Sequence, residues 1–249
     1  MRRKVIAFDL DDTLAVTKSP ISDEMSDLLG KLLEKFDVCV ISGGRFEQFM
    51  TQVIERLEVS PKLLENLHLM PTCGTRYYRF KDGDWHQEYA EDLSSSDKEL
   101  IIKTLSEGAK HLGYWEEKPY GEIVEDRGSQ ITFSALGQQA PPEEKYKWDP
   151  NGIKKHKLRD YAAPLLPHLE VRVGGTTSVD VTKVGIDKAY GMNKLMEVLK
   201  VKKQEILFVG DKLEEGGNDY PVKAIGIDTI AVERWEDTAL VIRTILAAG

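Results

Sequence analysis

The chain has 249 residues, which is enough for one large domain or two domains of modest size. Its formal net charge is −8, which argues against a general binder of nucleic acids or of anionic membranes, because both attract basic surfaces. Its two cysteines, Cys39 and Cys73, lack metal-ligand spacing, and no stretch of the sequence approaches membrane-spanning length. We therefore expect a reduced, cytoplasmic protein with a hydrophobic core.

The first predicted strand, Val5–Phe8, runs directly into the acidic segment Asp9–Asp12. Four consecutive apolar residues are typical of a strand buried on both faces of a parallel sheet. Ligands of such sheets bind at the carboxyl ends of the strands, which is where these acids fall. Asp9 and Asp11 are two positions apart and share a face of an extended chain, so their mutual repulsion favours a bound divalent cation such as Mg²⁺.

The acidic segment Asp9–Asp12 has two alternative interpretations. One is a solvated acidic turn, which the preceding buried strand disfavours. The other is a calcium-binding helix-loop-helix, which needs Gly at the sixth position of its loop and Glu at the twelfth. Those positions are Leu14 and Pro20 here, so this alternative fails.

Helices and strands alternate after the first strand, which predicts a parallel sheet with crossover helices. The predicted elements are a helix over 23–35 with Ser22 as its N-cap, a strand at 38–41, a helix over 45–57 and a strand at 67–70. An Asp-Gly pair at 82–83, between alternating runs at 75–80 and 85–89, predicts a β-hairpin.

The pattern changes near residue 86 from α/β alternation to an α+β order. The predicted elements there are a helix over 96–112, strands at 122–124 and 130–136, a break at Pro141-Pro142, a helix over 150–165, and strands at 169–173 and 177–181. Alternation then resumes with a helix over 188–199, strands at 206–209 and 225–230, and a helix over 237–246. We therefore expect an α/β protein with a Rossmann-like parallel-sheet core, residues 1–85 and 187–249, and an inserted α+β domain, residues 86–186.

A second acidic site follows the strand at 206–209, where Gly210-Asp211 repeats the arrangement after the first strand. Asp9, Asp211 and the backbone carbonyl of Asp11 would give a metal oxygen ligands from two strand ends. Ser42, after the second strand, and Lys188, at a helix start, could bind phosphoryl oxygens at the same edge. Alone, Ser42 is more often a helix cap and Lys188 a solvated lysine, but the two acidic sites favour the functional interpretation.

These segments together resemble the haloacid dehalogenase superfamily of phosphotransferases, over nearly the whole chain. The matching residues are Asp9-Leu10-Asp11-Asp12-Thr13, Ser42, Lys188, and Gly210-Asp211 with Asn218-Asp219. The position of the insertion resembles members with a large α+β cap, and within these the eukaryotic-type α-phosphomannomutases. The particular matches to that group are Gly174-Gly175-x-x-Ser178-x-Asp180-Val181 and Gly210-Asp211-Lys212 followed by Gly216-Gly217-Asn218-Asp219.

The resemblance implies a mechanism in which Asp9 attacks phosphorus and forms an aspartyl-phosphate. Asp11 would protonate the leaving oxygen and later deprotonate the incoming nucleophile. Mg²⁺ and Lys188 would offset the charge on the phosphoryl group, and Thr13 and Ser42 would donate hydrogen bonds to its oxygens.

The resemblance also implies supporting residues outside this set. Asn218 and Asp219 would act behind the metal ligands or on Lys188. In the inserted domain, Arg127, Ser178 and Asp180 fall where the family contacts the sugar or its second phosphate. For Arg127, an exposed loop arginine is the equally weighted alternative.

Some residues depart from the mutase pattern. Asp12 stands at the usual glycine, and Gln138 and Lys18 stand where arginines are expected. The segment Ser42-Gly43-Gly44-Arg45 is closer to the Thr/Ser-Gly-Arg of the hydrolase relatives, which makes Gly43 and Arg45 candidate substrate-binding residues. Because bidentate arginine is the preferred grip for a second phosphate, fewer arginines favour hydrolysis over a mutase.

The sequence thus favours a Mg²⁺-dependent phosphatase acting on a small phosphorylated metabolite, with a sugar phosphate as the expected substrate. The alternatives are a phosphomannomutase-like phosphotransferase and, from another class, a non-catalytic ligand-binding protein that kept the fold. The expected partner is the small phosphorylated substrate, without nucleic acid or membrane, and a homodimer is left open.

Overall fold

The computed structural model describes residues 3–248, which form two compact units. The first unit comprises residues 3–90 and 187–248, and the second comprises Glu91–Ile186. Among the described residues, no helix is both long and apolar enough to cross a membrane.

The strands and helices follow one another along the chain as the sequence patterns broadly predict. The strands are β1 (Val5–Phe8), β2 (Asp37–Ile41), β3 (Leu67–Met70), β4 (Arg76–Lys81), β5 (Asp84–Ala90), β6 (Val124–Asp126), β7 (Gln130–Ser134), β8 (Leu169–Val173), β9 (Ser178–Lys183), β10 (Ile206–Gly210) and β11 (Asp228–Ala231). The helices are α1 (Asp23–Leu33), α2 (Phe46–Gln52), α3 (Pro61–Leu64), α4 (Ser95–His111), α5 (Pro142–Trp148), α6 (Ile153–Ala162), α7 (Lys188–Leu199), α8 (Tyr220–Ala224) and α9 (Trp235–Ala248).

A seven-stranded sheet in the order β11-β10-β1-β2-β3-β4-β5 organises the described part of the first unit. Strands β11, β10, β1, β2 and β3 are parallel, and the hairpin β4-β5 is added antiparallel at one edge. Strand β1 lies near the centre and is fully buried, and its side chains alternate between two cores. Ile6 and Phe8 pack with α1 and α9, whereas Val5 and Ala7 pack with α7 and α8.

The second unit contains a four-stranded antiparallel sheet in the order β6-β7-β9-β8. Ile131 and Phe133 of β7 lie in an apolar core with α4 and α6. The alternate residues of β7, Gln130, Thr132 and Ser134, are also buried, although they are polar. The parallel-dominated sheet and the separate antiparallel sheet confirm the predicted α/β fold class with an α+β insertion.

The boundary between the units lies five residues later than the sequence suggested, after Ala90 instead of after residue 85. The reason is that β5 pairs with β4 along its whole length, from Asp84 opposite Lys81 to Ala90 opposite Arg76. The second strand of the predicted hairpin therefore stays in the sheet of the first unit.

The sequence analysis did not predict three of the helices, which are α3, α5 and α8; helix α3 has only four residues and begins with a proline. Helix α5 begins where Pro141-Pro142 predicts a break, because a proline is favourable at the first helical turn, where its missing N–H would have no helical acceptor. Helix α8 precedes β11, and a turn at Gly226, with φ +84°, separates them, so this strand begins at Asp228 instead of Ile225. The predicted helix over 45–57 ends at Gln52 and is followed by a 3-10 turn, and the strand expected at 122–124 lies at Val124–Asp126.

Candidate active site

The acidic residues of two neighbouring strand ends meet at the carboxyl edge of the sheet. Strands β1 and β10 are paired in parallel, with Phe8 opposite Val209, and the Asp9 amide donates to the Val209 carbonyl at 3.0 Å. One carboxylate oxygen from each of Asp9, Asp211 and Asp219 lies within 4.8 Å of the other two. The predicted approach of Asp9 to Asp211 is therefore present, and Asp219 joins them.

Lys188 lies at the centre of this cluster. Its side chain is fully buried, with Nζ 2.6 Å from Asp9 Oδ1 and 2.5 Å from Asp219 Oδ1. It is the first residue of α7, which begins after the N-cap Asp187, whose side chain accepts from the Tyr190 amide. This burial excludes the alternative that Lys188 is a solvated surface lysine.

Helix α7 can approach the strand ends closely because glycine occupies position 191. A Cβ there would lie 2.5 Å from Ile41 Cδ1 and 2.6 Å from the Cys73 carbonyl oxygen. The facing turn contains Thr72, Cys73 and Gly74, all with positive φ. Gly74 packs on Gly191 so tightly that a Cβ at position 74 would meet the Gly191 Cα at 2.4 Å. This contact fixes the start of α7, and hence Lys188, against the end of β2.

Both carboxylate oxygens of Asp219 are occupied by donors. Oδ1 accepts from Lys188, and Oδ2 accepts from the backbone N–H of Lys212 at 3.1 Å. Asp219 is itself completely buried. Its geometry therefore suits the positioning of Lys188 better than direct metal ligation, whereas the neighbouring Asn218 is exposed.

The charges of the cluster shift the proton affinities of its members. Burial raises the pKa of Asp9 well above its usual range, and the carboxylates of Asp219 and Asp211 add to the effect against the opposing attraction of Lys188. Burial alone would lower the pKa of Lys188, but Asp9 and Asp219 outweigh it and raise that pKa. The lysine therefore stays charged, and the raised pKa of Asp9 means that the crowded carboxyl groups favour binding a proton or another cation.

The cluster fits a divalent cation by the chemistry of its donors. Three carboxylates face one buried ammonium, and carboxylate oxygens are the ligands that Mg²⁺ prefers. The Asp211 side chain is only 5% exposed, and its Oδ2 accepts from the exposed ammonium of Lys212 at 2.6 Å. Lys212 is therefore the cationic partner of Asp211 in the structure.

Three donors hold the carboxylate of Asp11. Its Oδ1 accepts from the Lys18 amide at 2.9 Å and from Gln52 Nε2 at 3.1 Å, and its Oδ2 accepts from Gln48 Nε2 at 3.1 Å. The sequence interpretation singled out neither glutamine. Their spacing of four on a helix that follows a strand end was the available signal, because it places both on one helix face.

Asp12 explains how the chain tolerates the loss of the usual glycine. Its φ is +61°, a conformation that glycine adopts freely and that Asp adopts more readily than most residues. Its Oδ1 accepts from the Thr17 amide at 3.0 Å, and its Oδ2 accepts from Thr17 Oγ1 at 2.6 Å. The acidic side chain thus secures the turn after Asp11.

The predicted phosphoryl-binding residues lie in different environments. Thr13 is fully buried, and its Oγ1 has no hydrogen-bond partner within residues 3–248. Ser42 is buried, and its Oγ accepts from the Gly44 amide at 3.2 Å, which leaves the hydroxyl hydrogen for a further acceptor. A Cβ at Gly43 would meet no atom within 4 Å, and the Arg45 side chain is half exposed with Glu47 at 3.6 Å.

Two candidate residues of the second unit, Ser178 and Asp180, lie on β9, and Arg127 lies in the turn between β6 and β7. Asp180 Oδ1 accepts from Thr132 Oγ1 at 2.7 Å, and Ser178 is half-buried opposite Ser134. The Arg127 side chain is only 8% exposed, and its NH2 lies 2.6 Å from Glu125 Oε2 and 3.4 Å from Gln138 Oε1. The exposed-loop alternative for Arg127 is therefore wrong, and its charge is offset by Glu125.

A parallel sheet with acids at the ends of adjacent strands, together with a separate antiparallel unit, is the architecture of haloacid dehalogenase-like phosphatases and phosphotransferases. The model of the haloacid dehalogenase-like hydrolase family matches residues 6–221. The chain belongs to this family, whose enzymes act on small phosphorylated substrates and generally use Mg²⁺.

Similar proteins include two phosphomannomutases. Phosphomannomutase 2 of Dictyostelium discoideum is 27% identical over 229 residues, which is 89% of this chain and 87% of that protein. The phosphomannomutase of Saccharomyces cerevisiae is 28% identical, over 88% of this chain and 84% of that protein.

Solved structures share the fold at lower identity. An IMP-bound IMP-nucleotidase of Plasmodium falciparum superposes with a TM-score of 0.74 at 15% identity, over 99% of this chain and 68% of that chain. A haloacid dehalogenase-like hydrolase from Bacteroides thetaiotaomicron superposes with a TM-score of 0.65 at 16% identity, over 98% of this chain and all of that chain.

Proposed function

We propose that the chain is a Mg²⁺-dependent phosphatase of small sugar phosphates that works through an aspartyl-phosphate on Asp9. The observation that carries this proposal is the buried cluster in which Lys188 Nζ lies 2.6 Å from Asp9 Oδ1, with Asp211 beside them. A structural ion pair would not need a third carboxylate within 4.8 Å, because like charges repel. A site that binds a cation together with a phosphoryl group does need the additional carboxylate, as a ligand of the cation.

In this mechanism an oxygen of Asp9 attacks phosphorus, and the bond from phosphorus to the leaving oxygen breaks. Asp11 donates its proton to that leaving oxygen and then accepts a proton from the attacking water. Lys188 holds Asp9 in place and offsets charge on the phosphoryl oxygens. Thr13 Oγ1 and the Ser42 hydroxyl supply hydrogen-bond donors to the same oxygens, and the missing partner of Thr13 supports this role.

Asp9, Asp211 and the carbonyl of Asp11 would hold Mg²⁺, with Asp219 and Asn218 behind them. When bound, the cation offsets negative charge on the transferring phosphoryl group and neutralises the excess charge of the carboxylates. Arg127, Ser178 and Asp180 would contact the sugar or its distal group, and Gly43 and Arg45 would contact the substrate at the edge of the sheet.

Hydrolysis is favoured over mutase activity by the surroundings of Arg127. A mutase must hold a sugar bisphosphate, and a buried arginine that already pairs with Glu125 has less charge to offer a second phosphate. Gln138, which contacts the same arginine, contributes no charge where the mutases are expected to have arginine. If the sugar is held more weakly, water competes better with the sugar hydroxyl as the nucleophile that attacks the aspartyl-phosphate.

The second candidate is a phosphomannomutase-like phosphotransferase that interconverts hexose 1- and 6-phosphates. It is favoured by the named phosphomannomutases that match almost nine-tenths of the chain. The deciding experiment supplies mannose 1-phosphate with a trace of the 1,6-bisphosphate, and follows mannose 6-phosphate and free phosphate together by phosphorus NMR. We expect free phosphate to exceed the 6-phosphate, and Gln138→Arg to shift the ratio towards isomerisation.

Rapid conversion to the 6-phosphate with negligible free phosphate would contradict the phosphatase and support the mutase. Asp9→Asn is the control for both, because a nearly isosteric amide is a poor nucleophile and should leave no turnover. A generic aryl phosphate, assayed with and without Mg²⁺, separates both enzymes from a non-catalytic protein. Absence of Mg²⁺-dependent phosphate release by the wild-type chain would favour that third class.

A further inference from the structure

The two glutamines of α2 that donate to Asp11 lie one helical turn apart and face the same carboxylate. Gln52 is almost completely buried, and its Nε2 donates both to Asp11 Oδ1 at 3.1 Å and to the Ser19 carbonyl at 2.7 Å. Gln48 Nε2 donates to Asp11 Oδ2 at 3.1 Å. The helix therefore contacts both oxygens of the carboxyl group that the proposed mechanism uses for proton transfer.

We propose that Gln52 and Gln48 are positioning residues that hold the Asp11 carboxyl group in the orientation needed for proton transfer to the leaving group. This inference rests on the proposed function, in which Asp11 is the general acid and base. With Oδ1 bound by two donors and Oδ2 by one, rotation of the carboxyl group is restricted, and Oδ2 has the greater remaining capacity to carry a proton.

The amide of Gln48 is held with its nitrogen towards Asp11. Its Oε1 accepts from Lys18 Nζ at 3.3 Å, so the reversed amide would place a donor against that ammonium. Gly44 makes room for this arrangement, because a Cβ there would lie 2.2 Å from Gln48 Oε1 and 2.7 Å from its Cδ. Gly44→Ala should therefore displace the Gln48 amide without altering the glutamine itself.

A purely structural role is the competing explanation, because Gln52 also ties the loop at Ser19 to α2. The two roles differ in how they depend on the leaving group. During phosphorylation of Asp9, the Asp11 proton moves to the leaving oxygen as the bond from that oxygen to phosphorus breaks. A weakly basic leaving group does not need this proton, whereas a strongly basic one does.

The test compares kcat/KM for phenyl phosphate and 2,4-dinitrophenyl phosphate in Mg²⁺, since the dinitrophenolate leaves without protonation. We expect Gln52→Met, which is close in shape but has no donors, to lower kcat/KM for phenyl phosphate by about 10- to 100-fold, a part of the typical contribution of acid catalysis. For the dinitrophenyl ester we expect a loss of less than about threefold, because acid catalysis contributes little there. Gln48→Met and Gly44→Ala should act in the same direction and more weakly.

The same variants should lower kcat for both esters, because hydrolysis of the aspartyl-phosphate still needs Asp11 to accept a proton from water. Gln204→Met is the matched control, because Gln204 is exposed and lies before β10. This variant should leave kcat and kcat/KM unchanged for both esters. Melting temperatures identify variants that do not fold. If Gln52→Met is among them, Gln48→Met and Gly44→Ala decide the question.

Asp11→Asn separates failure of this inference from failure of the proposed function. If Asp11→Asn lowers kcat/KM for phenyl phosphate much more than for the dinitrophenyl ester, but the glutamine variants lower both equally, the glutamines are structural and the inference is wrong. If Asp11→Asn itself shows no leaving-group dependence, the assignment of Asp11 as the general acid is wrong, and the inference falls with it.

Discussion

Asp219→Asn offers a quantitative test of the buried cluster in the metal-free protein. The amide has nearly the shape of the carboxylate, but only one of its two polar atoms can accept. If its oxygen keeps the bond to Lys188, its NH2 group faces the backbone N–H of Lys212, and if it turns over, it faces the ammonium. Either way one buried hydrogen-bond partner is lost, and Lys188 keeps only one of its two carboxyl neighbours, Asp9.

The expected cost follows from the burial of both partners. Breaking a buried ion pair by changing one member typically costs about 3–5 kcal/mol. Asp9 remains 2.6 Å from Lys188, so we expect the lower end, about 3 kcal/mol. For a chain of this size, 1 kcal/mol shifts the melting temperature by about 2–4 °C, so the variant should melt roughly 6–12 °C below wild type.

Urea unfolding in EDTA measures this cost, and a second background tests its cause. In Lys188→Met the ammonium is absent, so Asp219 is a buried carboxylate that the lysine no longer compensates, and Asp219→Asn should then be neutral or stabilising. Equal destabilisation in both backgrounds, or a cost below about 1 kcal/mol in the wild-type background, would refute the buried ion pair as the source of stability.

Three further predictions concern the metal, pH and the turn after Asp11. Asp211→Ala should lose most of the rise in melting temperature that wild type shows with increasing Mg²⁺, and an equal rise in both proteins would mean that the metal does not bind Asp211. His68 is a fully buried residue of β3. Burial lowers its pKa below the ordinary 6.5, so the contribution of neutral His68 to stability is full above pH 6.5 and is lost as the pH falls below it. Between about pH 7.5 and pH 5.5, wild type should lose more unfolding free energy than His68→Gln, and parallel curves would contradict this. Asp12→Ala should be less stable than Asp12→Gly by about 1 kcal/mol in urea unfolding, because only glycine adopts a φ of +61° freely, and the reverse order would mean that the backbone there is not strained.

The sequence predicted most reliably what a local pattern determines. The bounds of β1, β3 and α7 agree with the structure, because each is a strong apolar run or a periodic segment with a clear start. The boundary of the insertion was wrong by five residues, because pairing of β5 with β4 is a non-local contact that the composition of residues 86–90 does not reveal. Helix α8 was missed because only five residues form it.

In the candidate site, too, some features could be predicted from local sequence patterns and others could not. The approach of Asp9, Asp211 and Lys188 followed from strand ends that share an edge of the sheet. What the sequence could not supply was the choice of partner for each side chain. Glu125 offsets the charge of Arg127, and Gln52 reaches Asp11 across 41 positions of sequence, contacts that depend on the packing of separate elements.

The most direct test of the proposed chemistry is to trap the phosphorylated residue. The enzyme is mixed with an aryl phosphate and Mg²⁺, quenched in acid, reduced with borohydride and digested with trypsin, which releases residues 5–18 as one peptide. Borohydride converts an aspartyl-phosphate to homoserine, so sequencing of that peptide by mass spectrometry should show homoserine at position 9 and unchanged aspartate at positions 11 and 12. Homoserine at another position, or an unmodified peptide from enzyme that is releasing phosphate, would contradict Asp9 as the nucleophile.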